Sequence, residues 1–192
     1  TPSDSWVKKF FKQHGIEFAH VGNTAHVPKK EIRCHKLWPK FVKGALLPLK
    51  QIKDFWQYMG SKVIVHGKGE ETFEEWVDKE YNIDYLITNK YLKQNAKNEL
   101  DFALIRKKTD PDRLIYIRKI LNNGYDDGEV RVKYANIHTV KGLTFDNVVV
   151  DLTTTRQEDY FTQLRLKYVA YSRGRFDCWT VASQGKYTLG VR

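Results

Sequence analysis

Apolar residues recur at helical spacing near the start of the chain, between residues 6 and 11. This spacing predicts an N-terminal helix, with Ser3 or Asp4 as its N-cap. Residues 16–21 then alternate between apolar and polar side chains, a pattern that predicts a short strand. Gly22-Asn23 is typical of a turn. The chain therefore opens as a helix followed by a strand.

The pattern after residue 110 is typical of an α/β fold. Residues 110–124 predict a capped helix, and strand-like runs follow at 130–137, 148–152 and 178–182. The middle run is almost continuously apolar, which indicates a parallel strand buried on both faces. A helix predicted over 157–172 precedes the last strand. This order of elements predicts a parallel sheet flanked by helices.

The stretch between these regions, about residues 26–109, mixes charged residues with scattered tryptophan and tyrosine. Pro28, Pro39 and Pro48 predict that its first part is broken into short pieces. Helices are predicted in three places: residues 49–58, 71–80 and 84–95. The stretch contains no internal repeat and no low-complexity tract, so we expect a mostly helical region.

Lysine and arginine outnumber aspartate and glutamate by 33 to 23, which gives a formal net charge of +10. A surplus of this size favours a polyanionic partner, and nucleic acid is the first candidate. Ordinary solvated lysines would give the same composition, so charge alone leaves both interpretations open. Hydrophobic residues make up 41% of the chain, which is enough for a buried core and excludes a disordered tail.

Cysteine and histidine usage favours an intracellular protein without a structural metal. Cys34 and Cys178 lie far apart, which is typical of reduced thiols and not of a disulfide scaffold. Four residues could suggest zinc, but their spacing fits no standard ligand pattern: His20, His26, Cys34 and His35. We find no targeting segment, and no apolar run approaches the ~18 residues of a membrane helix. We therefore expect a cytoplasmic protein without membrane contact.

Residues 136–146 form the first of two segments whose side chains can carry chemistry. We expect a loop between two strands, at the end of the sheet where open α/β folds bind ligands. Gly142 would let the backbone approach a ligand closely, and Lys141 would offer a point charge to a phosphate. A basic surface turn would use the same residue types, so both interpretations stay open at this point.

The second segment, residues 165–175, is a predicted helix whose far end presents Arg173 and Arg175 on either side of Gly174. Arginine at a helix C-terminus is favourable to the helix dipole, which is a sufficient structural reason. The functional interpretation is a guanidinium aimed at a phosphoryl group, because its fixed fork matches the developing charge better than lysine would.

Together the two segments resemble a family. Residues 136–145 read N-I-H-T-V-K-G-L-T-F, similar to motif V of UvrD/Rep-like superfamily 1 DNA helicases, T-x-H-x-x-K-G-x-E-F. Residues 168–175 read Y-V-A-Y-S-R-G-R, similar to motif VI, Y-V-A-x-[ST]-R-[AG]-[RK]. The opening helix, within residues 1–25, resembles another block of the same domain. The resemblance covers about residues 1–25 and 110–185, and the middle is unmatched.

In that family the histidine and lysine of motif V lie against single-stranded DNA. The resemblance therefore assigns DNA contact to His138 and Lys141, with Thr139 as a weaker candidate. Arg175 matches a basic position of motif VI; we group it with the nucleic-acid-binding residues and leave its individual role open. Single-stranded DNA is the partner that these positions imply.

The remaining motif positions imply a nucleotide site. The motif V glycine and glutamate lie near the nucleotide in the family, and Gly142 and Thr144 occupy those positions. A threonine hydroxyl can still accept a hydrogen bond from a ribose, although it lacks the glutamate's charge. Asn136 likewise replaces the usual threonine. Arg173 matches the arginine finger that reaches the γ-phosphate, so the resemblance makes it the catalytic residue.

The resemblance also implies a fold and a domain plan. The fold would be α/β, a RecA-like parallel sheet flanked by helices, with a mostly helical insertion in the middle. Residues 1–25 and 110–192 would form the second RecA-like motor lobe (2A-like). Residues 26–109 would form an inserted accessory subdomain (2B-like).

Such motors carry a G-x-x-x-x-G-K-[ST] phosphate-binding loop in their first lobe, and the present sequence does not contain one. Gly67-Lys68-Gly69 and Gly185-Lys186-Tyr187 lack the first glycine and the final hydroxyl. The resemblance therefore implies a second partner, an N-terminal RecA-like lobe that holds most of the ATP and Mg²⁺. We expect no ATP hydrolysis by residues 1–192 alone.

Two other functions remain open. A non-enzymatic nucleic-acid-binding module could keep the fold and lose the motor, and Thr144 in place of glutamate favours it. The chain could also belong to a helicase–nuclease, although no nuclease motif is visible. Trp38, Trp56 and Trp76 could stack on bases, but tryptophans of this kind more often lie in the core, as we expect here.

Overall fold

The structure, a computed structural model, describes residues 6–21, 26–69, 73–74, 76–77, 79–108, 110–151 and 160–181. Within these residues the fold is mixed α/β, which confirms the predicted class at that level. The helices are α1 (Trp6–His14), α2 (Lys29–Val42), α3 (Leu49–Tyr58), α4 (Ile83–Thr88), α5 (Pro111–Asn122) and α6 (Tyr160–Tyr171). The strands are β1 (Phe18–His20), β2 (Leu47–Pro48), β3 (Glu80–Tyr81), β4 (Val132–Tyr134), β5 (Phe145–Asp151) and β6 (Gly174–Val181).

The chain packs as two compact units. Unit 1 comprises Thr1–Ala19 and Asn23–Val132, and unit 2 comprises His20–Gly22 and Lys133–Arg192. We predicted a boundary at residue 110, whereas α5 and the residues that follow it pack with the middle of the chain. The division into a motor lobe and an inserted subdomain stays a prediction, and the two packing units cut across it.

Unit 1 is built around an aromatic core. Trp38 of α2 is completely buried, and its ring centroid lies 5.3 Å from that of Phe55 and 5.7 Å from that of Phe102. Trp56 is also buried, and Trp76 packs against the same core while partly exposed. The prediction that Trp38 and Trp56 are core residues is therefore confirmed.

Helix α2 shows that the prediction of short, proline-broken pieces is wrong. It runs for 14 residues with Pro39 in its interior, while Pro28 and Pro48 are the N-cap residues of α2 and α3. A proline inside a helix removes one backbone hydrogen bond and destabilises the helix. Burial of Trp38 and Phe41 beside Pro39 offsets this cost, a tertiary effect that local propensity does not contain.

Helix α5 begins as predicted and is tied to α2. Oδ1 of Asp110 accepts hydrogen bonds from two backbone N–H groups in the first turn of α5. Arg113 in the same helix forms a two-pronged ion pair with Glu31 of α2, which is completely buried. Nη2 of Arg106 lies 2.8 Å from the same carboxylate. This buried network is one reason that α5 belongs to unit 1.

Helix α1 packs closely against α5. Gly15 ends α1 at a φ of +64°, and a Cβ added there would lie 2.7 Å from the backbone carbonyl carbon of Lys119. The side-chain amide of Asn123 donates to the carbonyl of His14 at 2.8 Å. Both the backbone conformation and the close approach therefore require glycine at position 15. The predicted N-cap, residues 3–4, lies outside the described residues.

Unit 2 contains a parallel pair of strands, β5 and β6, connected through α6. Val150 and Ala170 are buried between the sheet and α6, with 8% and 5% of their surface exposed. The other face carries Val149 and its register partner Trp179, which are 64% and 52% exposed. We predicted a strand buried on both faces; this is wrong within the described residues, because the sheet has two strands and α6 covers one face.

The remaining predicted elements are shorter than expected. The strands predicted at 16–21 and 130–137 correspond to β1 and β4, which pair with each other. The helix predicted over 84–95 corresponds to α4 and a separate 3-10 helix. The helix predicted at 71–80 is wrong where the structure describes it, since none of residues 73–74, 76–77 and 79–80 is in an α-helix. The turn predicted at 22–23 lies outside the described residues. Among the described helices, none has the length and apolar character needed to cross a bilayer.

Candidate functional site

The two candidate segments meet at one end of the β5–β6 sheet, where both strands begin. Phe145 at the start of β5 and Gly174 at the start of β6 are register partners. Because parallel strands point the same way, residues 136–144 and 168–173, which precede the two strands, lie at the same end of the sheet. The loop follows β4 as predicted, but β4 pairs with β1. Relative to β5 the loop lies at the amino end, and not at the carboxyl end of a common sheet.

Asn136 organises the first turn of the loop. Its Oδ1 accepts a hydrogen bond from the backbone N–H of Thr139 at 2.9 Å and another from the Thr139 hydroxyl at 2.8 Å. The residue that replaces the motif's usual threonine therefore supplies the acceptor that closes the turn. Thr139 is therefore part of the hydrogen-bonded turn that holds the loop together.

Gly142 has a φ of +83°, and no atom of the described residues lies within 4 Å of a Cβ added there. Its backbone conformation therefore requires glycine, whereas steric crowding from the protein itself does not. The open space beside it leaves room for a ligand. This is a different reason for glycine from the one at Gly15, where the neighbouring helix fills that space.

Three predicted ligand-binding side chains in the loop are exposed: those of His138, Lys141 and Thr144. Within the part of the chain that the structure describes, none of the three forms a hydrogen bond or an ion pair through its side chain. Their polar atoms are therefore available to an external partner.

Three acceptors hold the guanidinium of Arg173. Nη1 donates to the carbonyl oxygen of Leu143 at 3.2 Å, Nη2 donates to Oγ of Ser172 at 2.8 Å, and Nε donates to the carbonyl oxygen of Val169 at 3.1 Å. The backbone N–H of Phe145 donates to the carbonyl of Arg173 at 2.8 Å. The side chain and the backbone of Arg173 are thus both attached to the start of β5.

The contact between Leu143 and Arg173 brings the predicted nucleotide-binding residues together. Leu143 lies between Gly142 and Thr144, so all three predicted residues of that group surround one contact. The predicted DNA-contacting residues 138–141 occupy the turn immediately before them. One continuous loop therefore carries both predicted groups, and Arg173 holds its end.

The Arg173 guanidinium has more N–H groups than its contacts with the described residues use. Of its five N–H groups, three are used in the contacts to Leu143, Ser172 and Val169. The other two, one on each terminal nitrogen, have no acceptor among the described residues. One N–H on each terminal nitrogen is the arrangement that grips two oxygens of a phosphoryl group.

Arg175 lies at the start of β6 and is largely exposed. Its Nη1 is 3.9 Å from Oδ1 of Asp146, and the two side chains are 65% and 70% exposed. An exposed pair at this distance contributes little stability. The guanidinium of Arg175 is therefore available to an anionic partner, in keeping with its placement among the nucleic-acid-binding residues.

Sequence reasoning missed the three residues that hold the Arg173 guanidinium: Leu143, Val169 and Ser172. Ser172 occupies the hydroxyl position of the motif VI pattern, and that position was a signal that could have identified it. Leu143 and Val169 act through their backbone carbonyls, which leave no side-chain signature in a sequence.

Three of the four residues that we rejected as zinc ligands lie in unit 1 in separate surroundings. The ring of His26 stacks on Phe18 at 4.8 Å, and the ring of His35 lies 5.2 Å from Phe102. Cys34 lies in the core, where burial raises the pKa of its thiol. Within the described residues, no group of three or more His, Cys, Asp or Glu side chains is placed to hold a metal ion.

Comparisons of the chain with known protein families, with curated proteins and with solved structures found no match. The basis for a function is therefore the pair of motif-like segments and the geometry that joins them.

Proposed function

We propose that this chain is the C-terminal motor half of an ATP-dependent DNA helicase or translocase of the UvrD/Rep-like superfamily 1. One observation carries the proposal: the hydrogen bond between Arg173 and the carbonyl of Leu143 joins the motif V-like loop to the motif VI-like helix. Two patterns found separately in the sequence thus belong to one site. A chance match of either pattern would not require such a contact.

In this proposal the loop binds single-stranded DNA. Lys141 offers an ammonium group to a backbone phosphate, and His138 offers a ring that can stack or donate a hydrogen bond. Both side chains are exposed and without partners among the described residues. Arg175, at the same end of the sheet, adds a second positive charge to that of Lys141.

Arg173 is the arginine finger of the proposed site. ATP and Mg²⁺ would be held mainly by an N-terminal RecA-like lobe, and the Mg²⁺ would neutralise charge on the phosphates. Arg173 would bring its two remaining N–H groups to the γ-phosphate, where charge develops during transfer. Gly142 and Thr144, which flank the Arg173 contact at Leu143, would border the same nucleotide.

In this proposal the same geometry would couple nucleotide binding to DNA binding. Arg173 donates to Leu143, so a movement of its guanidinium toward a phosphate moves the end of the loop that contains His138 and Lys141. Stepping along DNA would follow as the moving loop releases one backbone phosphate and binds the next. The β5–α6–β6 unit, with one open sheet face, would be part of a larger RecA-like sheet.

DNA binding by the loop is our first prediction, and salt dependence tests it. His138→Ala/Lys141→Ala should weaken binding of a labelled oligothymidylate at least about tenfold. It should also reduce the slope of log affinity against log salt by about 0.7, the value for one phosphate contact on a single strand. Fluorescence anisotropy over a salt series measures both quantities.

The matched control is His66→Ala/Lys43→Ala, which removes the same residue types from exposed positions in unit 1. It should leave affinity within about twofold of the parent chain. Equal losses in the two double variants would mean that only general charge matters, and the loop would lose its proposed role.

A non-enzymatic nucleic-acid-binding module is the second candidate, and Thr144 favours it because the motif's glutamate is replaced. Both candidates predict DNA binding by the loop. They differ in ATP turnover by a protein that also contains a lobe with a phosphate-binding loop. DNA-stimulated hydrolysis by such a protein supports the motor, and its absence supports the module.

A further inference from the structure

A groove on unit 1 lies between α1 and α5, away from the residues of the proposed site along the chain. It is open to solvent, has a volume of about 320 Å³ and is lined by residues of both helices. Lys9 and Lys12 of α1 and Lys119 of α5 contribute three positive charges, and Asp112 contributes one negative charge. The groove is therefore an electropositive surface for which neither motif accounts.

Among the described residues, no ion pair neutralises the lysines of this groove. Helix α1 contains no acidic residue. Within the described residues, neither Lys9 nor Lys12 forms an ion pair. Two arginines on α5, in contrast, are paired: Arg113 with Glu31 and Arg118 with Asp101. Two lysines that lack partners on one helix favour an external anion.

An aromatic ridge, formed by the neighbouring rings of Phe10 and His14, borders the groove. Phe10 lies three residues before Gln13, which lines the groove, so the two side chains are neighbours on the surface of α1. Phe10 is 43% exposed, and its ring centroid lies 4.3 Å from that of His14. The core of unit 1 does not cover Phe10, and none of the residues of α1 is fully buried.

The floor of the groove is rigid. Tyr116 is buried, and its hydroxyl donates to the carbonyl of Ile16 at 2.7 Å. Nζ of Lys119 donates to the carbonyl of Gln13 at 2.7 Å. These bonds, with the close approach at Gly15, hold α1 and α5 in fixed relation. A ligand would therefore meet a surface that needs little reorganisation.

We propose that the α1–α5 groove is a second nucleic-acid-binding surface, specific for single strands. Phosphates would lie over Lys9 and Lys12, and an unpaired base would stack on Phe10. An electropositive groove beside exposed aromatic rings is the arrangement that recognises unpaired strands, because every base has a face that can stack. A duplex keeps its bases stacked inside and offers only its phosphates. The inference does not depend on the helicase proposal, since it uses no residue of the Arg173 site.

Neutralising the groove tests the phosphate contacts. Lys9→Gln/Lys12→Gln should reduce the slope of log affinity against log salt for oligothymidylate by about 1.4, the value for two contacts. The matched control is Lys50→Gln/Lys53→Gln, two exposed lysines at the same spacing on α3. It should leave the slope within about 0.3 of the parent chain. An unchanged slope in the groove variant, or equal changes in both variants, would overturn the proposal.

Changing the ridge tests the stacking. Phe10→Ala should weaken binding of the single strand at least about fivefold, and should leave binding of a duplex of equal length unchanged. Phe10→Leu retains an apolar side chain of similar size but no ring, so a similar loss there excludes a folding defect. Circular dichroism and thermal melting of each variant provide the folding control. Equal effects on single strand and duplex, or none on either, would make the surface a general polyanion site and refute the proposal.

The loop variant His138→Ala/Lys141→Ala separates this inference from the helicase proposal. Loss of binding in the loop variant alone would refute the groove and leave the motor intact. Loss in the groove variant alone would support the groove and count against the motif V-like loop. A groove variant that keeps its DNA affinity but loses self-association on size-exclusion chromatography would identify a protein interface, and the groove proposal would be wrong.

Discussion

The two packing units treat their large aromatic residues in opposite ways. In unit 1, Trp38 and Phe55 are 0% and 1% exposed and belong to one contiguous core. In unit 2, Tyr168 and Phe176 are 74% and 71% exposed, and Trp179 is 52% exposed. Unit 1 thus has a contiguous core of its own, whereas the described part of unit 2 presents large aromatic side chains that nothing in it covers.

This difference separates the contiguous hydrophobic core, which lies in unit 1, from the residues of the proposed motor site. The residues of the proposed motor site lie in unit 2, at the amino ends of the two described strands β5 and β6. An exposed apolar face of this kind marks a surface that another part of a protein covers. The contrast fits a motor half whose working unit is completed by a further lobe, while unit 1 folds around its own core.

The largest expected effect is on the core of unit 1. Phe55→Ala should lower the free energy of unfolding by about 3–5 kcal/mol, because it removes a fully buried ring and leaves a cavity. Tyr168→Ala in unit 2 removes a ring of similar size from an exposed position and should cost less than about 0.5 kcal/mol. Urea denaturation followed by tryptophan fluorescence compares the two, and equal costs would abolish the distinction between the units.

A second, smaller effect concerns pH and unit 1. Burial lowers the pKa of His35 to about 4, and the nearby charge of Arg106 adds to the shift. The unfolded chain binds this proton near pH 6.5, so the stabilisation is complete above pH 6.5 and is lost as pH falls toward 4. Between pH 6.5 and 5 the loss should be about 2 kcal/mol. Denaturation curves at a series of pH values measure it.

His35→Gln is the control for this prediction, because glutamine does not titrate. The variant should show a flatter dependence of stability on pH between 6.5 and 5. If its pH dependence matched that of the parent chain, the protonation of His35 would not be the cause.

The smallest expected effect compares two glycines in open space, one in each unit. Gly142 and Gly124 have φ values of +83° and +81°, and in the part of the chain that the structure describes no atom lies within 4 Å of a Cβ added at either position. Alanine at either position should cost roughly 1–2 kcal/mol through backbone strain alone. Only Gly142→Ala should also weaken oligothymidylate binding, because it lies in the loop. Equal DNA affinity in both variants would show that the loop's conformation is irrelevant to binding.

Local chemistry was enough to predict the elements whose ends carry their own signals. Helix α5 is an example, since the Asp110 cap and the Asn123-Gly124 stop act within a few residues of the chain. The continuation of α2 through Pro39 could not be predicted in this way, because it depends on burial of Trp38 by α3 and distant segments. The exposed face of β5 was missed for a related reason: an apolar run shows what a strand can bury, not what is present to cover it.

The candidate site shows the same division. His138, Lys141 and Arg173 were assigned to the site by the resemblance of the two segments to helicase motifs V and VI. The contact that joins those segments was not predicted, because its acceptor is the backbone carbonyl of Leu143. Side-chain patterns identify the groups that meet a ligand, whereas the bonds that position them depend on the register of β5 and β6.

The most direct test of the account is the ATPase activity of Arg173→Ala in a protein that carries both proposed lobes. Arginine-finger loss predicts a fall in DNA-stimulated kcat of about 10³-fold, with oligothymidylate affinity kept within a few-fold. Arg173→Lys should fall nearly as far, because it lacks the fork. Arg165→Ala, on the exposed surface of α6, is the control and should keep its rate. An unchanged kcat in Arg173→Ala would remove Arg173 from the nucleotide site and contradict the proposed function.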